Sequence, residues 1–290
     1  RTKGWELQIG WQDRIGQLGY NVSFNLSDAQ TEVTEFPNPD KQLKDGDGND
    51  YYWEGKKLGE IWGFKTVGMA KTDQEMADWI AQHDQSKLKA GGLNIWKAGD
   101  IMYANLDDNP AIEAGTSATD PKDLTVIGNS TPRYRFGITL GANYKGFDLN
   151  IMFQGVAKRD YWIDGMIFWG VNGGQWSSTG YEEHWDFFRP EGDELGANTN
   201  AYFPRPIMDS RQNQQVQSRY IRLKNLQVGY TIPKYLTKKI GLEKLRVFFS
   251  GDNLWTGTKI NKNFDPEALW QNGMTYPLSR TLSCGVNIVL

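Results

Sequence analysis

The sequence predicts an all-β protein built around an antiparallel sheet of the kind that forms a transmembrane β-barrel. Apolar residues alternate with small polar residues over long segments, which is the period of a β-strand. Aromatic residues stand at the ends of the apolar stretches, and short connections alternate with long ones, as in outer-membrane barrels. Together these observations favour a membrane-spanning sheet over other fold classes.

Alternation is clearest at the end of the chain. One parity holds Leu282, Cys284, Val286, Ile288 and Leu290, and the other holds Thr281, Ser283, Gly285 and Asn287. The same pattern predicts two-faced strands over 5–11, 18–27, 134–144 and 147–154. If the apolar faces meet lipid, the lipid-facing residues include Ile138, Leu140, Leu282, Val286 and Ile288.

A soluble sheet with one face on a core would alternate in the same way. Two features favour the membrane. The polar faces carry Gly, Ser, Asn and Thr more often than the Lys and Glu of a solvated surface. The stretch from Tyr134 to Tyr144 corresponds to roughly 33 Å of strand, and at a tilt near 45° it projects to roughly 23 Å, close to the height of the apolar band of a barrel.

Connection lengths provide a second test. Nine strands are predicted, near 4–12, 17–27, 57–69, 95–105, 132–144, 147–157, 217–231, 244–253 and 279–290. Tight turns at 13–16 and 145–146 alternate with long polar connections near 28–57, 107–131, 158–216 and 254–278. One connection, 70–94, falls on the short-turn side although it is long. Within it, Thr72 followed three residues later by Glu75 predicts a helix over 72–82.

Composition excludes several functional classes. The chain has 32 Lys and Arg against 35 Asp and Glu, a net charge of −3, which argues against a nucleic-acid-binding protein. Two His and one Cys are too few for a Cys/His zinc site. No run approaches the roughly 20 apolar residues of a membrane-spanning helix.

Several motifs resemble, in order along the chain, those of SusC/RagA-type TonB-dependent transporters. The longest runs from Ser218 to Pro233 and resembles the family's S-Y-L-R-L-K-N…L-G-Y-T-L-P strand. Shorter matches lie at 59–64, 126–132, 144–149, 245–255, 263–267 and 276–281.

This resemblance implies a 22-stranded outer-membrane barrel with an N-terminal plug, in a Gram-negative bacterium of the Bacteroidota type. We therefore expect residues 1–290 to be the C-terminal part of such a barrel, without the plug, completed by further strands of the same barrel and surrounded by lipid. The implied partners are TonB, acting through the plug, and a SusD-like surface lipoprotein that closes over the barrel. The implied substrate is a glycan or a peptide, and no enzymatic activity is implied.

The connection 158–216 supplies the candidate binding residues. Aromatic side chains lie there beside carboxylates, a combination that can stack on sugar rings and bind hydroxyl groups and that also suits peptides. The candidates for contact with the substrate or the lid are Trp162, Trp169, Trp176, Tyr181, Trp185 and Asp186. Packing of these aromatics within the loop is the alternative.

Two acidic stretches are candidate chemical sites. Residues 45–50 resemble the start of a calcium loop, but Asp50 replaces the glycine of position six and Lys56 the glutamate of position twelve. We therefore predict no cofactor, with Ca²⁺ in this outer loop as the alternative. The acidic residues between Glu182 and Glu194 could suggest a glycosidase pair, but an exposed loop explains them more simply, and no catalytic residue is predicted.

Three functions remain open at this level. The first is active import across the outer membrane by a SusC-like transporter with its lipoprotein. The second is a soluble all-β carbohydrate-binding or hydrolase domain, with the apolar faces buried in a sandwich. The third is a passive porin, which would lack a plug.

Overall fold

The computed structural model describes residues 1–88, 95–163, 180–205, 215–260, 264–269, 275–276 and 278–290. The described part is all-β, as predicted. Its strands are β1 (Thr2–Ile15), β2 (Leu18–Thr31), β3 (Glu60–Phe64), β4 (Thr66–Met69), β5 (Ile101–Tyr103), β6 (Leu124–Asn129), β7 (Arg133–Tyr144), β8 (Phe147–Lys158), β9 (Asp160–Trp162), β10 (Gln215–Gln217), β11 (Tyr220–Thr231), β12 (Lys244–Thr258) and β13 (Thr281–Val289).

Among the described residues, helices are few and short. They are α1 (Asp73–Gln82), α2 (Lys234–Thr237) and the 3₁₀ turns Glu182–Trp185 and Lys238–Ile240. The predicted helix is confirmed, because the side chain of Thr72 caps α1 by accepting a hydrogen bond from the Glu75 amide at 3.0 Å. None of the helices in the described ranges is long and apolar enough to cross a membrane.

Seven long strands form one antiparallel sheet in the order β1-β2-β7-β8-β11-β12-β13. Two-residue turns join the hairpins β1–β2 and β7–β8. In the second turn Lys145 and Gly146 both have positive φ, 47° and 90°. This is the backbone that a type I′ turn requires, and its twist matches that of the strands it joins.

Register places most of the apolar residues of the seven long strands on one face, although Met152 and Phe248 lie on the other. A single row of paired positions crosses the sheet through Trp11, Val22, Leu140, Ile151, Leu226, Gly251 and Leu282. The adjacent row belongs to the opposite face and contains Gln12, Asn21, Gly141, Asn150, Gln227, Ser250 and Ser283. The predicted alternation is therefore confirmed as a sheet with one apolar and one polar face.

The residues predicted to face lipid all lie on the apolar face. Leu282, Val286 and Ile288 are more than half exposed, whereas Ile138 and Leu140 are half-buried among their neighbours. Contact of this face with lipid stays a prediction.

The prediction of nine sheet strands was wrong at two places. Segments 57–69 and 95–105 do not join the main sheet; they contribute to two small sheets, β3 with β6 and β4 with β5. The reason is local packing: all three residues of β5 are buried, and Met102 packs with Ala70 and Met76 next to α1. Their apolar residues form a small core with the helix and so cannot line an extended face.

This correction also removes the irregular connection at 70–94. Residues 32–132 form one long connection between β2 and β7, so the predicted loops 28–57 and 107–131 are parts of it. All three long connections, 32–132, 159–219 and 259–280, leave the sheet at the same end of its strands. The shorter connections, 16–17, 145–146 and 232–243, lie at the opposite end of the strands. Long and short connections therefore alternate without exception.

Strand glycines allow a test of this packing. Gly155 lies under the ring of Phe136, and a Cβ atom there would collide with that ring and with the Tyr220 carbonyl oxygen, 2.5 Å away. At Gly10 in β1 a Cβ atom would meet nothing within 4 Å. We expect Gly155→Ala to lower the free energy of unfolding by about 1–3 kcal/mol through overpacking. Gly10→Ala is the matched control and should not destabilise the protein. Denaturant unfolding of both variants measures the difference, and equal stabilities would contradict the register.

Candidate functional site

The three long connections meet just beyond the sheet, and Arg159 lies at their junction. This residue separates β8 from β9, and its guanidinium donates to the carbonyl oxygens of Ser130 at 3.2 Å and Pro266 at 3.4 Å. Next to it, Asp160 accepts a hydrogen bond from the Asn129 amide at 3.0 Å. Since Ser130 belongs to 32–132 and Pro266 to 259–280, one side chain ties all three connections together.

A hydrophobic cluster joins two of these connections. Connection 159–219 contributes Ile163 and Phe203, and the end of the chain contributes Ile260, Phe264 and Leu269, all of them buried. Tyr161 and Phe187 pack against the cluster from its edge. Aromatic side chains of this size dominate the energetics of small cores, so the cluster fixes residues near 187 and 203 in position.

A second contact fixes the same loop to connection 32–132. Asp100 is fully buried and accepts two hydrogen bonds from Arg205, both at 2.7 Å. Close by, the buried ring of Phe188 lies against Gly99, which has a φ of 85° and no side chain to block the approach. We call Asp100, Phe188 and Arg205 the loop clamp. A bidentate guanidinium–carboxylate pair fixes the relative orientation of its two groups as well as adding strength. The clamp therefore sets the orientation of residues 180–205 relative to connection 32–132.

Residues 180–205 also carry large apolar side chains that are exposed. We call Tyr181, Trp185, Leu195 and Tyr202 the aromatic platform; their exposed fractions are 43%, 60%, 62% and 43%. Exposed and buried residues lie close together in the sequence, since Trp185 is three residues before buried Phe188 and Tyr202 directly precedes buried Phe203. The segment therefore combines buried anchoring residues with exposed apolar ones.

Ring contacts connect the platform to these buried residues. The ring of His184 lies 5.5 Å from that of Tyr181 and 5.5 Å from that of Phe203, and Tyr202 packs edge-on against Phe203 at 4.9 Å. Trp185 stacks on Phe187 with 6.3 Å between ring centroids. The exposed rings thus rest on rings that belong to the hydrophobic cluster.

Polar contacts hold the two halves of the platform together. Arg189 donates to the carbonyl oxygen of Trp185 at 2.8 Å and to that of Gly196 at 2.7 Å. Asp186 accepts a hydrogen bond from the Asn198 side chain at 3.0 Å. These bonds keep Leu195 on the same unit as Trp185.

The structure brings together part of the predicted binding set. Tyr181, Trp185 and Asp186 lie on this unit, with Asp186 supporting it through Asn198. Trp162 lies in β9, and its ring approaches Gly63 of β3. Trp169 and Trp176 lie outside the described residues. The roles of all six as contacts for substrate or lid stay predictions.

The same loop is rich in acidic residues. Besides Asp186 they are Glu182, Glu183, Glu191, Asp193 and Glu194. Within the described ranges none of these six carboxylates forms an ion pair with a Lys or Arg. Residues 180–205 are therefore rich in both aromatic and acidic side chains.

Sequence reasoning missed a buried ionic network below the platform. Arg222 of β11, on the polar side of the sheet, pairs with Asp265 at 2.6 Å and approaches Glu267 at 3.4 Å, and Lys224 pairs with Glu267 at 2.9 Å. Burial raises the pKa of Asp265, but hydrogen bonds from Arg222 and from two backbone amides outweigh it and hold the pKa below its ordinary value. The network fixes connection 259–280 to the sheet. The run Asn263 to Glu267 had indicated only family resemblance.

Lys56 is a second feature that the sequence did not indicate. Its ammonium is buried, donates to the Tyr51 carbonyl oxygen at 2.8 Å and lies 4.4 Å from the ring centroid of Trp53. Burial lowers the pKa of Lys56. The surrounding aromatic rings partly replace the water that the charge has lost, which identifies Lys56 as a packing element of connection 32–132.

The loop that resembles the start of a calcium site is held by protein groups. The carboxylate of Asp45 accepts hydrogen bonds from the amides of Asp47 and Asn49, and that of Asp50 pairs with Lys44 at 2.6 Å. The described residues contain no group of three or more His, Cys, Asp or Glu placed to hold a metal ion. The absence of a cofactor, with Ca²⁺ in this loop as the alternative, stays a prediction.

Comparison with known proteins finds relatives over the whole chain, although no family model matches it. Over 99% of its length the chain is similar to TonB-dependent receptors of Formosa agariphila: P3 at 25% identity, P26 at 24% and P39 at 23%. It spans less than a third of the length of these relatives, between 28% and 30%.

Solved structures agree on the fold. The chain superimposes on a chain of the RagAB peptide importer in its open-open state with a TM-score of 0.66 at 18% identity, covering 100% of this chain and 28% of that one. A structure of the RagAB peptide transporter gives 0.66 at 20% identity, with coverage of 99% and 29%. The resemblance to SusC/RagA-type TonB-dependent transporters that the motifs indicate is therefore confirmed.

The loop clamp makes a specific prediction. Arg205→Met removes both guanidinium hydrogen bonds from the buried Asp100 carboxylate and should destabilise the attachment of residues 180–205 by about 3 kcal/mol. Lys44→Met is the control, because the Lys44–Asp50 pair is exposed and should be worth less than about 1 kcal/mol. Amide hydrogen exchange of residues 180–205 reports the change. Equal exchange in the two variants would show that the clamp does not hold the loop.

Proposed function

We propose that this chain forms part of the wall and the outer loops of a SusC-like TonB-dependent transporter, which imports glycans or peptides across the outer membrane with a SusD-like lipoprotein. The observation that carries the proposal is the seven-stranded sheet, which has one apolar face and carries all its long connections at the same end of its strands. Similarity to TonB-dependent receptors over the whole chain supports it.

The apolar face supports a location in lipid. Trp11, Leu282, Val286 and Ile288 are more than half exposed on it, and apolar surface costs about 25 cal/mol per Å² when water covers it. A bilayer removes that cost. The polar face, with its amides, hydroxyls and glycines, suits a lumen in which side chains face water or a plug.

The chain itself carries out no chemistry under this proposal. Its strands form part of the barrel wall, and the remaining strands of the barrel pair with the two edge strands of the sheet, β1 and β13. The strand ends that carry the long connections face the cell exterior, where the loops contribute to the substrate and lid interface. Energy reaches the transporter from TonB through the plug, as the family resemblance implies.

Substitutions on the two sheet faces test the lipid location. Ile138 lies on the apolar face and Thr139, next to it in β7, on the polar face. Ile138→Arg would place a charge in the bilayer and should destabilise the folded protein by about 2–4 kcal/mol, whereas Thr139→Arg in the lumen should be tolerated better. Folding of the full-length protein into lipid bilayers measures both. Equal losses at the two positions would count against a membrane-spanning sheet.

Uptake by whole cells tests the transport function. Cells with the intact gene should import labelled oligosaccharides or peptides from a mixed pool, and import should stop when the gene is deleted or a protonophore removes the energy source. Import that survives the protonophore would identify a passive porin instead. A full-length protein that stays monodisperse without detergent would favour the soluble carbohydrate-binding or hydrolase domain.

A further inference from the structure

The apolar face of the sheet ends in a band of exposed side chains next to the short connections. Register sets seven residues opposite one another in this band, one from each strand: Ile15, Leu18, Tyr144, Phe147, Tyr230, Val247 and Val286. We call them the end row. Six of the seven are between 37% and 67% exposed, and Tyr230 is half-buried. Because the positions are paired strand by strand, the end row is contiguous across the whole sheet.

Three aromatic residues occupy the middle of the end row. Tyr144 lies opposite Phe147 in their hairpin, and the ring centroid of Phe147 lies 4.5 Å from that of Tyr230. Tyrosine joins an apolar ring to a polar hydroxyl group and therefore favours the boundary between hydrocarbon and lipid headgroups. In a membrane-spanning sheet, a band of this kind marks the level at which the strands leave the hydrocarbon.

The short connections beside the end row are basic, although the chain as a whole is acidic. Together the three connections hold four Lys and one Glu, a net charge of +3, against −3 for the whole chain. Lys234 pairs with Glu243 at 3.5 Å on the surface. In the part of the chain that the structure describes, the other three lysines form no ion pair with a carboxylate; they are Lys145, Lys238 and Lys239.

One of these lysines lies directly against the end row. The Nζ atom of Lys145 is 5.3 Å from the ring centroid of Tyr144. A lysine at a membrane boundary keeps its aliphatic stem on apolar surface and extends its ammonium group toward the headgroups. Lys145 therefore places a positive charge beside the aromatic residues, at the level where headgroups would lie.

The connection 232–243 combines its lysines with exposed apolar side chains. Tyr235, Leu236 and Ile240 are 69%, 42% and 65% exposed. Lys238 and Lys239, which are also exposed, lie between Leu236 and Ile240 in the sequence. Basic and apolar side chains on one short helical segment are typical of protein surfaces that rest on a lipid leaflet. The leaflet offers hydrocarbon to the apolar groups and phosphate to the lysines.

We propose that this end of the sheet binds the headgroups of anionic phospholipids. The inference rests on the proposed function, which places the short connections at the periplasmic leaflet of the outer membrane. Lys145, Lys238 and Lys239 contact the lipid phosphates, while the end row and the apolar side chains of 232–243 lie against the acyl chains. Basic side chains close to a membrane surface attract anionic lipids over roughly one Debye length. A free phosphate ion would satisfy the lysines but would leave the apolar surface uncovered.

The experiment places a photoreactive group at the proposed contact. In the full-length transporter, Tyr235 is replaced by p-benzoylphenylalanine, which keeps a ring at this exposed position. The protein is inserted into vesicles that contain equal amounts of phosphatidylglycerol and phosphatidylcholine, and mass spectrometry counts the lipid adducts formed on irradiation. We expect adducts of the anionic lipid to exceed those of the zwitterionic lipid by at least about threefold.

Removal of the three lysine charges should abolish most of this preference. Lys145→Gln with Lys238→Gln and Lys239→Gln should lower the adduct ratio by at least about twofold. Arginine at the same three positions keeps the charge and should retain the ratio, which separates a lost charge from a misfolded connection. Raising the concentration of sodium chloride should lower the wild-type ratio, because salt screens the attraction.

A matched control removes the same number of charges at the opposite end of the strands. Lys57, Lys65 and Lys97 are exposed in connection 32–132. Replacing all three by Gln changes the net charge equally and should leave the adduct ratio unchanged. Sodium phosphate and sodium chloride at equal ionic strength should lower the wild-type ratio to the same extent.

The outcomes separate this inference from the proposed function. Equal adducts of the two lipids, or no lipid adducts, in a protein that has inserted would overturn the inference and leave the transport function standing. Equal loss of preference in the two glutamine variants would also overturn it, because net charge would then be responsible. A stronger effect of phosphate than of chloride would assign the lysines to free phosphate instead. A full-length protein that neither inserts nor supports energised uptake would contradict the proposed function itself.

Discussion

The pleat of a β-strand sends successive side chains to opposite faces, so a strand that slips by one residue exchanges its two faces completely. Through the middle of this sheet, from Trp11 in β1 to Leu282 in β13, register keeps apolar residues opposite apolar residues or glycine, and the bulge between Leu223 and Asn225 preserves this pattern. Each hairpin therefore has one register in which the apolar face stays continuous. The positions of the connections follow from that register, since strand direction decides at which end of the strands each one emerges.

The loops depend on the sheet in a different way. They have small separate cores, and a few polar side chains attach these to one another and to the strands. Arg159 joins the connections at the end of the strands, Arg222 holds the last connection to β11, and the loop clamp joins residues 180–205 to 32–132. These are buried or partly buried guanidinium groups with several acceptors each, and such groups fix orientation as well as distance.

The sheet was predictable from the sequence because alternation is a local signal. The strands predicted over 132–144 and 147–157 lie within a residue of those in the structure, as does the helix that Thr72 caps. Segments 57–69 and 95–105 were misplaced because a short apolar run fits either a long strand or a small core, and only tertiary contacts such as those of Met102 decide between them. The Arg205–Asp100 pair spans 105 residues and leaves no periodic trace, so sequence reasoning could not find it.

The junction at Arg159 has a consequence for how such a protein can change over generations. Its guanidinium binds main-chain oxygens, of Ser130 and Pro266, and a main-chain oxygen is present whatever amino acid occupies the position. Mutations that replace the side chains of either loop therefore leave these bonds in place as long as the backbone path is kept. The side chains of both loops can therefore vary without loss of the bonds that join the loops beneath them.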